Sequence, residues 1–344
     1  MKKNNPLQKK KVFIIAEAGV NHNGDIELAK QLIDAAAEAK ADAVKFQTWK
    51  PGEVTGKYAT KVAYLEESCK EETRHDLSNR LCLPYDAFRE LKAHCEKAGI
   101  LFLSTPDGFE SLNFVVDELD MPIIKIGSTE VTHHAFLAAV AKKGLPIIFS
   151  TGLSTLTEVE ASINVIRCHY QGELIVLQCT SEYPAPAEDV NLLAMVTMRD
   201  AFGVSVGLSD HSEGNEAAIA AVALGARVIE KHFTLDRSLP GPDHQASLTP
   251  SELAAFVQAV RKTELLLGDG EKAPSAREIL NLDGIRRGVV AAHPLTQGTM
   301  LTASDLVAKR PFVGIEPHEQ EQLIGRVITR DLDEDEPIRW RDIQ

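Results

Sequence analysis

A chain of 344 residues, 44% hydrophobic and 25% charged, is long enough for one large globular domain of about 250 residues plus a small one. Its net charge of −13 argues against nucleic acid or an anionic membrane as a general partner, so any anionic ligand must meet a local cluster of lysines and arginines. No apolar run approaches the ~20 residues of a membrane span, and five cysteines without metal-type spacing point to free thiols in a reducing cytoplasm.

From residue 12 to residue 234 short β-branched runs alternate with amphipathic stretches that end in glycine. Strands are expected at 12–16, 43–47, 100–103, 122–126, 146–150, 174–178, 204–208 and 226–229. Helices are expected at 26–40, 84–97, 109–119, 135–143, 157–168, 192–201 and 216–224. Residues 48–83 are too long for a plain connection and are expected to be functional or partly helical. Thr249-Pro250-Ser251-Glu252 forms a capping box with proline at the first helical position, opening a helix that runs to Leu267 and stops at Gly268. Eight such units predict an α/β fold, a (β/α)8 TIM barrel, over residues 1–268. A doubly wound sheet is the lesser alternative, because no Gly-x-Gly-x-x-Gly follows the first strand.

Residues 269–284 read as a polar linker. Beyond it, short runs at 288–292, 305–309 and 327–329, punctuated by Pro294, Gly298, Pro311, Gly314, Pro317 and Gly325, predict a small mostly-β domain over 285–344. A domain of that size is expected to have little core of its own and to pack on the barrel or on a neighbouring chain.

In a (β/α)8 barrel, polar residues just past the C-terminal strand ends face the active site. Here those ends carry Glu17, Asn21, His22, Lys45, Gln47, Ser104, Thr105, Lys125, Ser128, Glu130, Gln178, Thr180, Ser181, Tyr183, Ser209, Asp210, His211, Glu230, Lys231 and His232. Each alone has a bland reading: a lone histidine is more often structural, and a lysine in an apolar run can pair with a nearby glutamate. Burying both Lys45 and Lys125 inside strands is costly unless an anion meets them. Two lysines and several hydroxyls suit a phosphate and a carboxylate. His211 and His232 follow two strands joined by one helix, so the strands lie parallel and the imidazoles converge. Two imidazoles completed by water and substrate oxygens suit Mn, Co, Fe or Zn, with zinc disfavoured because its catalytic sites usually have three protein ligands.

These residues sit in blocks that resemble the sialic acid synthases. The blocks are Ala16-Glu17-Ala18-Gly19-Val20-Asn21-His22-Asn23-Gly24, Val44-Lys45-Phe46-Gln47-Thr48, Ser104-Thr105-Pro106, Lys125-Ile126-Gly127-Ser128 and Ser150-Thr151-Gly152. They continue with Cys179-Thr180-Ser181-Glu182-Tyr183-Pro184, Gly207-Leu208-Ser209-Asp210-His211, Glu230-Lys231-His232-Phe233-Thr234, Pro240-Gly241-Pro242-Asp243-His244 and Lys309-Arg310-Pro311. The likeness spans the whole chain, and its last part resembles the antifreeze-like (SAF) module of these enzymes. It implies condensation of phosphoenolpyruvate with an N-acetylated mannose-type hexosamine, giving a nine-carbon 2-keto acid. It implies a divalent metal on His211 and His232, typically manganese, with cobalt or magnesium as substitutes. Lys45, Thr105, Lys125, Ser128 and Ser209 would hold phosphoenolpyruvate, while Glu17, Tyr183, Asp243 and Arg310 would face the sugar. Gln47, Ser104, Thr180 and Ser181 are further substrate-binding candidates, and Glu17 or Glu130 is the candidate general base. The resemblance also implies a domain-swapped homodimer, Arg310 coming from the partner. Two rival readings are a class I aldolase using Lys45 or Lys125 as a Schiff base, and a non-enzymatic sugar-binding protein.

Overall fold

The computed structural model describes residues 5–8, 11–56, 58–60 and 73–344, so about a third of the irregular stretch at 48–83, residues 57 and 61–72, lies outside the described residues. The chain divides into two units, Met1–Gly268 and Asp269–Gln344.

The first unit contains eight parallel strands: β1 (Phe13–Gly19), β2 (Ala43–Thr48), β3 (Leu101–Pro106), β4 (Ile124–Ile126), β5 (Ile147–Ser150), β6 (Leu174–Cys179), β7 (Ser205–Asp210) and β8 (Val228–His232). Around them lie α1 (Ile26–Glu38), α2 (Arg74–Leu81), α3 (Tyr85–Ala98), α4 (Phe109–Asn113), α5 (His134–Lys142), α6 (Leu156–His169), α7 (Leu192–Phe202), α8 (Glu216–Ala223) and α9 (Pro250–Leu267). Hydrogen-bonded ladders run in the order β3-β2-β1-β8-β7-β6-β5-β4. β3 and β4 lie side by side without a regular ladder, β4 being only three residues long. This is a (β/α)8 barrel with one loosened seam.

Local chemistry explains the helix ends. Asp25 caps α1 by accepting from the backbone of Glu27 and Leu28, and Thr249 with Glu252 closes the expected box on α9. Helix α4 is shorter than expected and continues as a π turn over Phe114–Glu118.

The period-2 alternation of each strand divides the molecule into an outer and an inner core. Outward residues such as Ile14, Val44, Phe102 and Val206 meet the helices. Inward residues Phe13, Ile15, Ala43, Leu103, Ile148, Ile175, Leu177 and Val228 fill the lower barrel. Full burial of each large aliphatic side chain is worth roughly 1.5–3 kcal/mol, so this apolar floor fixes the strands beneath the polar layer. Gly207 belongs to this tight region: a Cβ there would lie 2.2 Å from Val228 O and 2.7 Å from Leu177 Cδ2.

The second unit pairs β9 (Gly288–Ala291) antiparallel with β10 (Leu306–Lys309). Residues 327–329 join by isolated bridges, Met300 to Val327 and Ile328 to Ile343, rather than as a third ladder strand. Within the expected linker, α10 (Ala276–Ile279) and α11 (Leu282–Ile285) form two short helices. The expectation of little core is corrected: eleven buried apolar residues, among them Val289, Leu301, Ile315, Leu323 and Ile338, form one cluster. Among the described residues no helix is long and apolar enough to cross a membrane.

Candidate active site

Six of the eight strands run one to three residues beyond the expected C-terminal ends, β4 and β5 stopping where expected, and the added residues include polar side chains of the barrel mouth. Inward positions there carry Glu17, Lys45, Thr105, Lys125, Ser150, Cys179, Ser209, Glu230 and His232, which line a cavity of about 320 Å³. Lys45 Nζ lies 2.8 Å from Glu17 Oε1, 3.8 Å from Glu230 Oε2 and donates to Thr105 Oγ1 at 2.9 Å. Lys125 Nζ donates to Ser150 Oγ at 2.8 Å and to Ile126 O at 3.1 Å, and lies 3.3 Å from Glu230 Oε1. Ser209 Oγ donates to the same Glu230 oxygen at 2.9 Å.

Burial and charge separate the two glutamates. Desolvation pushes Glu17 up to about 8, only partly opposed by Lys45. Glu230 suffers the same desolvation, but Lys125, Lys45 and the Ser209 hydroxyl outweigh it and hold the carboxylate at about 2. Burial lowers Lys125, whereas Glu17 and Glu230 more than offset burial at Lys45 and raise it. Glu17 Oε2 and Glu230 Oε2 are buried without a hydrogen-bond partner among the described residues. Such orphaned acceptors beside ammonium groups mark a site built for a ligand.

One wall of the cavity is lined by the hydroxyls of Ser128, Thr129, Ser150 and Ser181. Gly152 N donates to Ser128 Oγ at 2.9 Å. A Cβ at Gly152 would lie 2.3 Å from Ser181 Oγ and 3.0 Å from Ser128 Oγ, so glycine keeps this hydroxyl-lined space open.

His211 and His232 meet at the rim with ring centroids 5.3 Å apart and planes inclined at 61°. His211 Nδ1 lies 2.7 Å from Thr180 O; donation there fixes the tautomer and leaves the Nε2 lone pair available. His232 Nδ1 is buried without a hydrogen-bond partner, and Asp243 Oδ2 lies 3.9 Å from it. Burial, His211 and Lys45 push His232 well below the usual imidazole range, leaving it neutral as a metal ligand must be. Among the described residues no cluster of three or more His, Cys, Asp or Glu could hold a metal. Two imidazoles alone leave the rest of a cation's shell to water and substrate.

Tyr183 packs its ring on both histidines, at 4.1 Å from His211 and 5.7 Å from His232. It also borders a second cavity of about 200 Å³, lined by Val20, Gln47, Trp49, Arg74, Asp107, Asp243 and others. Gln47, Arg74, Asp107, Tyr183 and His232 line both spaces, so the two are joined. Burial pushes Asp107 up to about 7 and Asp243 up to about 6. A larger, mainly apolar groove of about 890 Å³ lies near α7 and α8 and is lined by none of the lysines or histidines above.

Several sequence-predicted residues do not reach the cavities. Ser104 faces outward, its Oγ 2.6 Å from Thr48 Oγ1. Thr180 donates its hydroxyl to Asp189 O, so its contribution is the carbonyl that orients His211. Gln178 donates to Val190 O. Glu130 lies 2.6 Å from His133 Nδ1 and lines neither cavity. Arg310 belongs to the second unit, where it is exposed and donates from Nε to Ile285 O at 2.7 Å. Asn21 and His22 are structural: Asn21 Nδ2 donates to Phe233 O and Ser247 Oγ, and buried His22 accepts from Gly24 N. Arg74 and Asp107 were missed by the strand-end rule, Arg74 because it stands in the irregular stretch and Asp107 because it follows the Ser104-Thr105-Pro106 block.

The NeuB family profile matches residues 32–272, and the SAF domain profile matches residues 286–344. The chain belongs to the NeuB family. Among its NeuB relatives, the N,N'-diacetyllegionaminic acid synthase of Campylobacter jejuni is 43% identical, over 96% of this chain and 99% of that one. The enzyme of the same name from Legionella pneumophila is 41% identical, over 96% and 94%. The crystal structure of N-acetylneuraminic acid synthetase from Leptospira borgpetersenii superposes with a TM-score of 0.69 at 36% identity, covering 79% of this chain and 90% of that one.

Proposed function

We propose that this NeuB protein condenses phosphoenolpyruvate with an N-acetylated mannose-type amino sugar and water, giving a nine-carbon 2-keto sugar acid and phosphate. The observation that carries this reading is the buried Lys45–Glu230–Lys125 cluster, joined through one cavity to the His211–His232 pair. Two relatives named for legionaminic acid support a 2,4-diacetamido sugar as acceptor.

Lys45, Lys125 and the hydroxyls of Thr105, Ser128 and Ser209 hold the phosphate and carboxylate. Tyr183, Gln47, Ser181 and Asp243 border the sugar. His211 and His232 hold a divalent cation, manganese in our reading, and that ion when bound supplies Lewis-acid polarisation of the open-chain aldehyde. The enol carbon forms the new bond to the aldehyde carbon, whose oxygen takes a proton from Glu17. Water then adds to the carbon bearing phosphate and returns a proton to Glu17. The phosphate C–O bond breaks from that tetrahedral centre, and the remaining hydroxyl proton leaves with phosphate.

The resemblance that placed Arg310 opposite the sugar supports a domain-swapped homodimer in which Arg310 of the partner subunit completes the site. The deciding measurement is phosphate release from phosphoenolpyruvate with Mn, comparing 2,4-diacetamido-2,4,6-trideoxymannose with N-acetylmannosamine. Turnover with the diacetamido sugar, abolished by EDTA and restored by Mn, is expected. Full activity after exhaustive metal removal, or a borohydride-trapped adduct on Lys125, overturns the scheme.

A further inference from the structure

Arg74 opens α2, and that helix is firmly placed. Thr73 Oγ1 caps it by accepting from Asp76 N, Leu77 and Leu81 pack with Val20 and Trp49, and Trp49 Nε1 donates to Ser78 O at 3.1 Å. The guanidinium is half-buried and borders both the lysine cavity and the outer one. It forms no ion pair or side-chain hydrogen bond with any described residue, although the other cations of the site are paired. Among the described residues lining the outer cavity it is the single lysine or arginine. Asp107 and Asp243 also line this cavity, and neither is paired with the guanidinium.

A fork of N–H donors, partly desolvated and without an acceptor, is matched by a ligand that brings one. Phosphoenolpyruvate is already met in the inner cavity by two lysines and several hydroxyls. The outer cavity instead combines apolar walls, Val20, Trp49, Leu77 and Leu81, with this one strong donor. That combination suits an acetamido group, a methyl attached to a carbonyl oxygen. We infer that Arg74 is a specificity-determining residue of the acceptor cavity, donating to the carbonyl oxygen of an acetamido substituent on the sugar. The inference rests on the condensation proposed above and adds a residue that selects the acceptor.

The test uses the full chain with Mn and phosphoenolpyruvate. Acceptors are the diacetamido sugar and the two analogues in which either acetamido group is replaced by hydroxyl. Wild-type phosphate release establishes the reaction independently of Arg74. Calorimetric titration with phosphoenolpyruvate shows that each variant keeps its inner site. R74A is expected to raise KM for the diacetamido sugar about 10–100-fold, the range for losing a hydrogen bond to a charged group, with little change in kcat or in KM for phosphoenolpyruvate. It is also expected to erase the wild-type discrimination against one analogue, and R74K to restore part of it. Unchanged discrimination, or a rise confined to KM for phosphoenolpyruvate, overturns the assignment.

Discussion

Asp107 follows β3 at the junction of the two cavities, and burial pushes its carboxyl up to about 7. Lys45 and Lys125 pull it down, while Glu130 and Glu53 push it further up, so it stands among charges of both signs. A raised carboxyl binds its proton more tightly in the folded chain than in the unfolded one. Stability is therefore lost as pH rises from the unfolded value near 3.8 through the folded value near 7, and the penalty is complete above that. D107N removes the penalty. Its melting temperature should exceed that of wild type by a margin that grows between pH 5 and pH 7 and then levels off. At about 2.1 cal/mol/K of unfolding entropy per residue, each kcal/mol recovered is worth roughly 1–2 °C for a chain of this size. A margin constant across that range in thermal melts would contradict the assignment. Activity should fall in the same variant, since a desolvated carboxyl kept at a ligand cavity exchanges stability for function.

At the level of elements, the His211–His232 pair depends on the ends of β7 and β8. Immediately before each histidine, and facing out of the barrel, stand Asp210 and Lys231. Lys231 Nζ lies 2.8 Å from Asp210 Oδ2 and also donates to Ser212 O, while Ser212 N and Oγ donate to Asp210 Oδ1 at 2.9 and 2.6 Å. Both side chains are almost completely buried, so the pair ties the two strand ends together at the level of the imidazoles. Breaking one half leaves an uncompensated buried charge, and D210A should cost about 3–5 kcal/mol in chemical denaturation. The double variant D210A/K231M should cost clearly less than the sum of the single changes; additive costs would show that the pair does not act as a unit.

The same strand ends show what the sequence could and could not reveal. Runs of Val, Ile and Leu located all eight strands, but they stopped short of Glu17, Asp210 and His232 because hydrophobicity was the signal. Ladder hydrogen bonds continue regardless of side-chain polarity, so residues facing the mouth still belong to strands. Parity accounts for the misplacement of Ser104: adjacent strand residues point to opposite faces, and Thr105 took the inward one. Helix α2 gave a weak pattern because only Leu77 and Leu81 are buried in its eight residues, leaving Arg74 unread.

At the scale of the whole molecule, the second unit has its own apolar cluster, and an internal network in which Arg330 holds Glu336 at 2.7 Å and Asp342 at 2.8 Å. Its retention is thus compatible with an autonomous module that serves another chain, as the proposed swapped dimer requires. The proposed swap makes a prediction that needs no structure of the dimer. R310A leaves the barrel intact and removes the arginine; E17Q leaves the arginine and disables the barrel, so each homodimer should be nearly inactive. Co-expressed in equal amounts, half of the dimers contain one chain of each kind. In these, the R310A barrel receives an intact Arg310 from its partner, so one site in two works. Phosphate release should recover to about a quarter of wild type, the fraction of sites restored by random pairing. If Arg310 served its own barrel, every site in the mixed dimer would lack either the arginine or the glutamate. No recovery, with mixed dimers verified by two different affinity tags, would then place Arg310 in cis or away from the reaction.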